Sequence, residues 1–194
     1  MAKRIGIIGN GNVGGALKRG FERAGHEVRA VDNDPAGIRA VTDWAKVVVL
    51  AVPFGAVGEV VTLVGSALDG KTVIDVTNAL GPKMEWAVGF STSGAEELQK
   101  RAPRAKVIKA FNTVFAQHMD SGKLAGTPLT ALVAGDDAAA KAEVLELARD
   151  IGFESVDAGP LANARLIEPM AYLNIQLGYV LGLGAQIGFK LVRA

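Results

Sequence analysis

The stretch that decides the fold is RIGIIGNGNVG, residues 4–14. A short apolar run leads directly into the pattern G-x-G-x-x-G, and a helical pattern follows over residues 12–24. In such a strand–loop–helix unit the first glycine permits a tight turn and the second lets a pyrophosphate approach the backbone, while the third allows the helix to pack on the strand. The helix N-terminus then presents free N–H groups to an anion. We therefore expect Gly9, Gly11 and Gly14 to form a dinucleotide-binding loop.

An acidic residue follows the second predicted strand, residues 27–31. Asp32 lies about 20 residues beyond the glycine loop, which is the spacing of the acid that binds the adenosine ribose. A 2′-phosphate beside Asp32 and Asp34 would meet like charge, and residues 33–38 contain neither Arg nor Lys. The local chemistry thus favours NAD over NADP. The alternative interpretation is a glycine-rich turn followed by an ordinary loop aspartate.

The rest of the chain alternates apolar, β-rich runs with helical patterns up to about residue 158. Continuous apolar strands are typical of parallel sheets that helices cover on both faces. The predicted strands are 4–8, 27–31, 46–52, 72–76, 106–110 and 129–134, and the predicted helices are 12–24, 56–68, 94–101 and 137–151. We expect an α/β fold with a doubly wound parallel sheet of Rossmann type over residues 1–158, followed by a C-terminal helical appendage over 159–194.

Ligands of such folds bind beyond the carboxyl ends of the strands. Residues expected at that edge are Ala51, Val52, Pro53, Phe54, Asn78 and Asn112. The pattern offers no general acid or base there, because Asp75 is predicted in mid-strand and His118 on a solvated helical surface. We therefore predict no catalytic side chain. Hydride transfer between two bound ligands needs little acid–base help and fits this absence.

Composition excludes several other classes of protein. The chain of 194 residues has 21 Lys and Arg against 20 Asp and Glu, which argues against nucleic-acid binding. It has no cysteine and two histidines, which argues against disulfides and metal sites. Residues 65–72, GSALDGKT, match the phosphate loop of NTPases, but a helix precedes them and a strand follows, the reverse of the order that this loop requires. The amino-terminal apolar run is too short for a signal peptide, so we expect a cytoplasmic location.

The C-terminal segment has an unusual pattern. Residues 169–189 carry no formal charge and are long enough to span a bilayer, yet Asn174, Gln176, Gln186 and several glycines dilute their hydropathy. We expect helix throughout residues 161–192 and no membrane insertion. A charge-free helix needs burial on most sides. The segment therefore predicts a homodimer.

Several motifs together resemble a known family: residues 109–114, KAFNTV; 134–137, AGDD; 157–165, DAGPLANAR; and 182–191, GLGAQIGFKL. With the glycine loop, they resemble the NADP-dependent coenzyme F420 oxidoreductases over nearly the whole chain, and also the reductase domain of the STEAP metalloreductases. The resemblance implies hydride transfer between a nicotinamide and a deazaflavin, coenzyme F420, or a flavin. It also implies ligand contacts, which are distributed as follows: Asn10, Asn12 and Val13 on the pyrophosphate side; Val52, Pro53 and Phe54 along the dinucleotide; and Asn112 and Ala116 near the nicotinamide and the acceptor ring.

The resemblance and the residues disagree at one point. Family members that use NADP have a small polar residue followed by arginine after the second strand, whereas this chain has Asp32 and Asn33. Three functions remain open on the sequence: the flavin- or deazaflavin-linked oxidoreductase, a non-catalytic NAD(P)-binding redox sensor, and a reductase of a small imine or keto substrate.

Overall fold

The computed structural model describes residues 1–193. Its strands are β1 (Arg4–Ile8), β2 (Glu27–Val31), β3 (Val47–Leu50), β4 (Thr72–Asp75), β5 (Lys106–Lys109), β6 (Lys123–Leu124), β7 (Thr127–Pro128), β8 (Thr130–Gly135) and β9 (Glu154–Asp157). They form a seven-stranded sheet of order β2-β1-β3-β4-β5-β8-β9 and a two-stranded hairpin, β6-β7. The helices are α1 (Asn12–Arg23), α2 (Pro35–Trp44), α3 (Val57–Val64), α4 (Gly94–Arg101), α5 (Ala116–Met119), α6 (Ala138–Asp150) and α7 (Ala164–Ile175).

Helices cover both faces of the sheet, and the apolar strands are buried between them. On one face α1 contributes Leu17 and Phe21, and α6 contributes Leu147. On the other face α2, α3 and α4 pack their own apolar residues, such as Ile38 and Leu98. All residues of β3 and β4 are buried. This two-sided burial confirms the predicted doubly wound α/β fold.

The strand order reverses between β1 and β3, because the chain adds β2 on one side of β1 and β3 on the other. Both pairings are parallel. The carboxyl ends of β1 and β3 therefore diverge into loops that pass above and below the sheet. In open α/β sheets this reversal opens the crevice in which ligands bind.

The expectation of a parallel sheet throughout is wrong at β8, which pairs with β5 in antiparallel orientation through Ile108 and Gly135. The chain between these strands forms the short helix α5 and the β6–β7 hairpin instead of one long crossover helix. Antiparallel neighbours need no crossover, whereas parallel ones do. The strand β9, which then pairs in parallel with β8, was not predicted.

Helix throughout residues 161–192 is also wrong. After α7 the chain forms one turn of π-helix over Gln176–Val180 and is irregular from residue 181 to 193. Gly182 and Gly184 have φ angles of 76° and 74°, in the left-handed region that ends helices. The segment then returns to the sheet, where the Phe189 carbonyl accepts a hydrogen bond from the Thr130 N–H. Ala194, the last residue of the predicted appendage, lies outside the described residues.

Part of this segment is exposed rather than buried. Tyr179, Leu181 and Leu183 expose 60–68% of their surface. None of the helices formed by residues 1–193 combines the length and apolar character that crossing a bilayer requires.

Candidate functional site

The glycine loop connects β1 to α1 at the strand-order reversal. Gly9 has a φ angle of 97°, and a Cβ there would overlap the carbonyl of Ala51, the residue that follows β3. A Cβ at Gly14 would overlap the Gly9 carbonyl in the same way. Both positions therefore need glycine for the close approach of α1 to the sheet.

Gly11 differs from the other two glycines of the loop. Its Cβ direction is open, with no atom of residues 1–193 within 4 Å, and Gly11 itself is exposed. It is also the N-cap of α1, and no side chain in the described part of the chain caps that helix. Open space beside uncapped N–H groups is what a phosphate group needs, so the loop fits the pyrophosphate of a dinucleotide.

A cavity of about 700 Å³ opens on one side of this loop. Its walls combine two carboxylates, Asp32 and Glu59, with apolar side chains such as Ile38, Val60 and Leu63. The Asn10 N–H donates to Asp32 Oδ1 over 2.5 Å, which holds that carboxylate at the rim. Apolar walls with an anchored acid at the rim suit an adenine and its ribose. Sequence-predicted residues that line this cavity are Gly9, Gly11, Asp32, Asn33, Ala51, Val52 and Pro53.

Asp34, the second acid in the charge argument, has a different role. It caps α2 by accepting hydrogen bonds from the Ala36 and Gly37 N–H groups. Of the two nearby arginines, Arg29 lies over the Trp44 ring at 4.2 Å, and Arg39 lines a separate cavity. Asp32 is therefore the charged group after β2 that faces the 700 Å³ cavity.

A second cavity, of about 760 Å³, lies on the other side of the loop. It adjoins the first at Gly11 and extends along α1 to the start of α5 and to Tyr179. Sequence-predicted residues that line it are Asn10, Gly11, Asn12 and Ala116. The structure thus brings together most of the predicted ligand contacts around one loop. Val13 and Gly14 lie behind them in the first turn of α1, and Phe54 lines a smaller cavity next to Gly94.

Asn78 and Asn112 meet each other beyond β4 and β5. Asn112 Nδ2 donates to Asn78 Oδ1 over 3.3 Å and to the Ile167 carbonyl over 3.5 Å. The buried Oδ1 of Asn112 has no hydrogen-bond partner among residues 1–193. The preceding Phe111 has a φ angle of 66°, a strained value for a bulky residue. Strain and an unpartnered buried acceptor on adjacent residues are typical of a functional site.

Directly behind this pair lies a cluster of buried charges that the sequence did not predict. Lys109, at the end of β5, contacts Asp75 Oδ2 at 3.0 Å, Glu168 Oε1 at 3.1 Å and the Thr77 carbonyl at 2.5 Å. Glu168 also accepts the Gly94 and Ala95 N–H groups at the start of α4. The expectation that Asp75 lies in mid-strand is wrong, because it is the last residue of β4.

Burial by itself lowers the pKa of Lys109, but the charges of Asp75 and Glu168 and their hydrogen bonds outweigh it, so that the pKa is raised. Lys109 is therefore held as a cation whose three donors are all used by Asp75, Glu168 and the Thr77 carbonyl. Asp75 and Lys109 are paired in the sheet register, so two opposite charges at the ends of apolar strands were an available signal. The sequence contained no comparable signal for Glu168, which comes from the distant helix α7.

The comparisons with known proteins agree with this geometry. The profile of the family described as NADP oxidoreductase coenzyme F420-dependent matches residues 4–44. A candidate F420-dependent NADP reductase from Arthrobacter sp. FB24 is 30% identical, with a TM-score of 0.90, and the match covers 99% of this chain and 100% of that one. The chain belongs to this family. A hypothetical protein from Sinorhizobium meliloti, SMa0349, is also 30% identical, with a TM-score of 0.71 over 84% of this chain and 87% of that one.

The family relationship extends to part of a larger protein. Metalloreductase STEAP3 of Rattus norvegicus is 38% identical over 101 residues, which is 52% of this chain and 20% of that protein. The chain therefore matches only about a fifth of the length of this curated relative. Membership in the F420-dependent NADP oxidoreductase family agrees with the open space and uncapped N–H groups beside Gly11.

The prediction that His118 lies on a solvated helical surface is wrong. It is buried rather than solvated, with 5% of its surface exposed, and its Nε2 lies 2.9 Å from the Ala185 carbonyl. A carbonyl can only accept, so Nε2 carries the hydrogen. Gln117 Nε2 donates to the same carbonyl over 2.9 Å. The two side chains hold the C-terminal segment beside the second cavity. Residues 1–193 contain no group of His, Asp or Glu side chains arranged to bind a metal ion.

Proposed function

We propose that the protein transfers a hydride between a nicotinamide dinucleotide and a deazaflavin or flavin acceptor. The observation that carries this proposal is the pair of cavities that adjoin at Gly11. One has apolar walls and an acid suited to adenosine, and the other begins at the same loop and reaches Ala116. A dinucleotide across the loop would leave room in the second cavity for another planar ring.

The residues of the chain bind and orient the ligands in this proposal. The N–H groups at the N-terminus of α1 bind the pyrophosphate. The Asp32 carboxylate accepts hydrogen bonds from the ribose hydroxyls, and Val52 borders the adenosine. When bound, the reduced nicotinamide supplies a hydrogen nucleus with its electron pair, and water supplies the proton that completes reduction of the acceptor. The protein then contributes by orienting the two ligands and by excluding water from them.

The direct test is oxidation of NADH and NADPH by the purified protein in the presence of coenzyme F420 or FMN, without oxygen. The proposal expects turnover that requires the protein, the dinucleotide and the acceptor together. Tight dinucleotide binding without turnover, for any of these acceptors, would instead support the redox sensor.

We also propose that NAD is the preferred dinucleotide, although the family name refers to NADP. The support is Asp32, which the Asn10 N–H holds at the cavity rim, where a 2′-phosphate would meet like charge. Asp32→Ser should weaken NADH binding and leave NADPH binding unchanged or stronger. Asp34→Ser is the matched control, since its carboxylate caps α2 and should affect stability rather than dinucleotide choice. A wild-type preference for NADPH would show that this charge argument is wrong.

For the segment from residue 159 onward we propose a role in assembly as a homodimer. Its support is the exposed apolar surface of Leu173, Tyr179, Leu181 and Leu183, in a stretch that carries no formal charge. A second copy brings the same apolar surface and no opposing charge. Sedimentation at micromolar concentration should show a dimer, and Leu181→Lys should shift it toward monomer. A monomer in the wild type would contradict this role.

A further inference from the structure

The second cavity carries a charge opposite to that of the first. Lys18 and Arg19, on the exposed side of α1, line the 760 Å³ cavity, and no carboxylate of residues 1–193 lines it with them. The 700 Å³ cavity is lined by Asp32 and Glu59 and by no cation of that described part. The two cavities share one loop, so the difference separates the ligands that each can accept.

Both cations keep hydrogen-bonding capacity toward the cavity. Lys18 pairs with Glu22 of the same helix at 2.8 Å, and its side chain is 35% exposed. Arg19 is 3.6 Å from Asp120, beyond a close hydrogen bond, and its side chain is 62% exposed. Gly15, one turn earlier on the same face, has no side chain to separate them from Asn10 and Asn12. The polar wall is therefore continuous from the loop to the cations.

The two cations come from the part of α1 that follows its first turn. Lys18 and Arg19 follow Asn12 by nearly two turns, which places their Cα atoms about 9–10.5 Å farther along the helix axis. The Arg19 guanidinium reaches back beside Gly15, where its Nη1 lies 3.7 Å from the position that a Cβ would occupy. The uncapped N–H groups at Gly11 and Asn12 already suit one pyrophosphate. A second anionic group, carried by the other ligand, accounts for two further cations in the lining of the same cavity.

We propose that Lys18 and Arg19 bind a phosphate or carboxylate on the tail of the acceptor, whose ring lies near Ala116. The site thus selects acceptors with an anionic tail over neutral ones of the same ring. This rests on the proposed function for the identity of the ring. The same phosphate chemistry is present in the dinucleotide, so the test must separate the two ligands.

The test measures binding of FMN and of riboflavin, which share one ring and differ in a phosphate, by fluorescence titration of the full chain. Wild type should bind FMN about 10-fold more tightly than riboflavin, because charge-assisted hydrogen bonds to phosphate are lost with riboflavin. Lys18→Gln combined with Arg19→Gln should remove this difference and leave riboflavin binding unchanged. Arg23→Gln is the control for position, since it removes one positive charge from α1 at a residue outside the cavity lining.

NADH binding provides the second arm of this test. The double variant should change the Kd of NADH by less than about twofold, since the helix N-terminus supplies the dinucleotide contacts. Equal affinity of wild type for FMN and riboflavin would overturn the proposal. A loss of NADH affinity equal to that of FMN would also overturn it and assign the cations to the dinucleotide. The titrations need no turnover, so charge-dependent FMN binding without hydride transfer to either FMN or coenzyme F420 would contradict the proposed function and leave the anion site standing.

Discussion

Two parts of the same sheet edge are built in opposite ways. The loop after β1 keeps its shape through glycines and presents open space and uncapped N–H groups at Gly11. The charge cluster at the ends of β4 and β5 keeps its shape through Lys109, Asp75 and Glu168, whose side chains are at most 1% exposed and hydrogen-bonded to one another. The comparison teaches that one part is arranged for binding and the other for rigidity. Substitutions should therefore separate affinity from stability.

The largest effect is expected in the charge cluster. Lys109→Met leaves two buried carboxylates without their cation and should lower the free energy of unfolding by about 3–5 kcal/mol. Lys106→Met, on the same strand, breaks only the partly exposed pair with Asp137 and should cost about 1 kcal/mol or less. Denaturant titration of both variants measures the difference. Equal, small losses would mean that the cluster does not hold this edge.

The same cluster predicts a dependence on alkaline pH. The pKa of Lys109 is raised in the folded protein, so its contribution to stability is full below the unfolded value of about 10.4 and is lost as pH rises through the folded value. In alkali, where the carboxylates are ionised in both proteins, the difference in unfolding free energy between wild type and Lys109→Met should therefore shrink only as the pH passes through the folded pKa of Lys109. A difference that grows over that alkaline range has the wrong sign for this account.

In the glycine loop, two neighbouring glycines should respond differently. Gly14→Ala places a Cβ on the Gly9 carbonyl and should destabilise the protein by about 1–3 kcal/mol, as overpacking does. Gly11→Ala enters open space and should change stability by about 0.5 kcal/mol or less, while weakening NADH binding. Thermal unfolding and NADH titration measure the two effects. A loss of stability in Gly11→Ala with unchanged NADH affinity would contradict the different roles assigned to the two glycines.

The local sequence was sufficient to predict the glycine loop, but it was insufficient to predict the buried charge cluster around Lys109. The bounds of β1, β2 and α4 were predicted to the residue, because caps and apolar runs lie within the segments themselves. Helix α2 was missed although Asp34 and Pro35 are a cap and a first-turn proline, signals that the sequence contained. Glu168 reaches Lys109 from a helix distant in sequence, and the antiparallel β8 depends on how the connection packs. The hydrophobic periodicity within a single segment predicts neither the contact between Glu168 and Lys109 nor the antiparallel pairing of β8.

A smaller effect tests how α7 is held beside the cluster. Arg165 donates to both carboxylate oxygens of Glu96, at 2.6 and 2.8 Å, and this hydrogen bonding lowers the pKa of Glu96. Glu96→Gln should cost about 0.2–1 kcal/mol, because Arg165 is partly exposed. The contribution is present above the unfolded pKa of about 4.3 and is lost as pH falls through the lower folded value. Denaturant unfolding of wild type and Glu96→Gln across acidic pH measures this difference in the free energy of unfolding. A difference that persists in strong acid would not come from this ion pair.

The central claim is that the two cavities hold a hydride donor and its acceptor. The most direct measurement uses NADH carrying deuterium at its transferable position, with coenzyme F420 as acceptor, and follows the label by mass spectrometry. A deazaflavin receives the hydride on carbon, where it does not exchange with water. The account predicts that deuterium appears on the deazaflavin in proportion to the NADH oxidised. Oxidation with the label released to water, or binding of both ligands without oxidation, would contradict it.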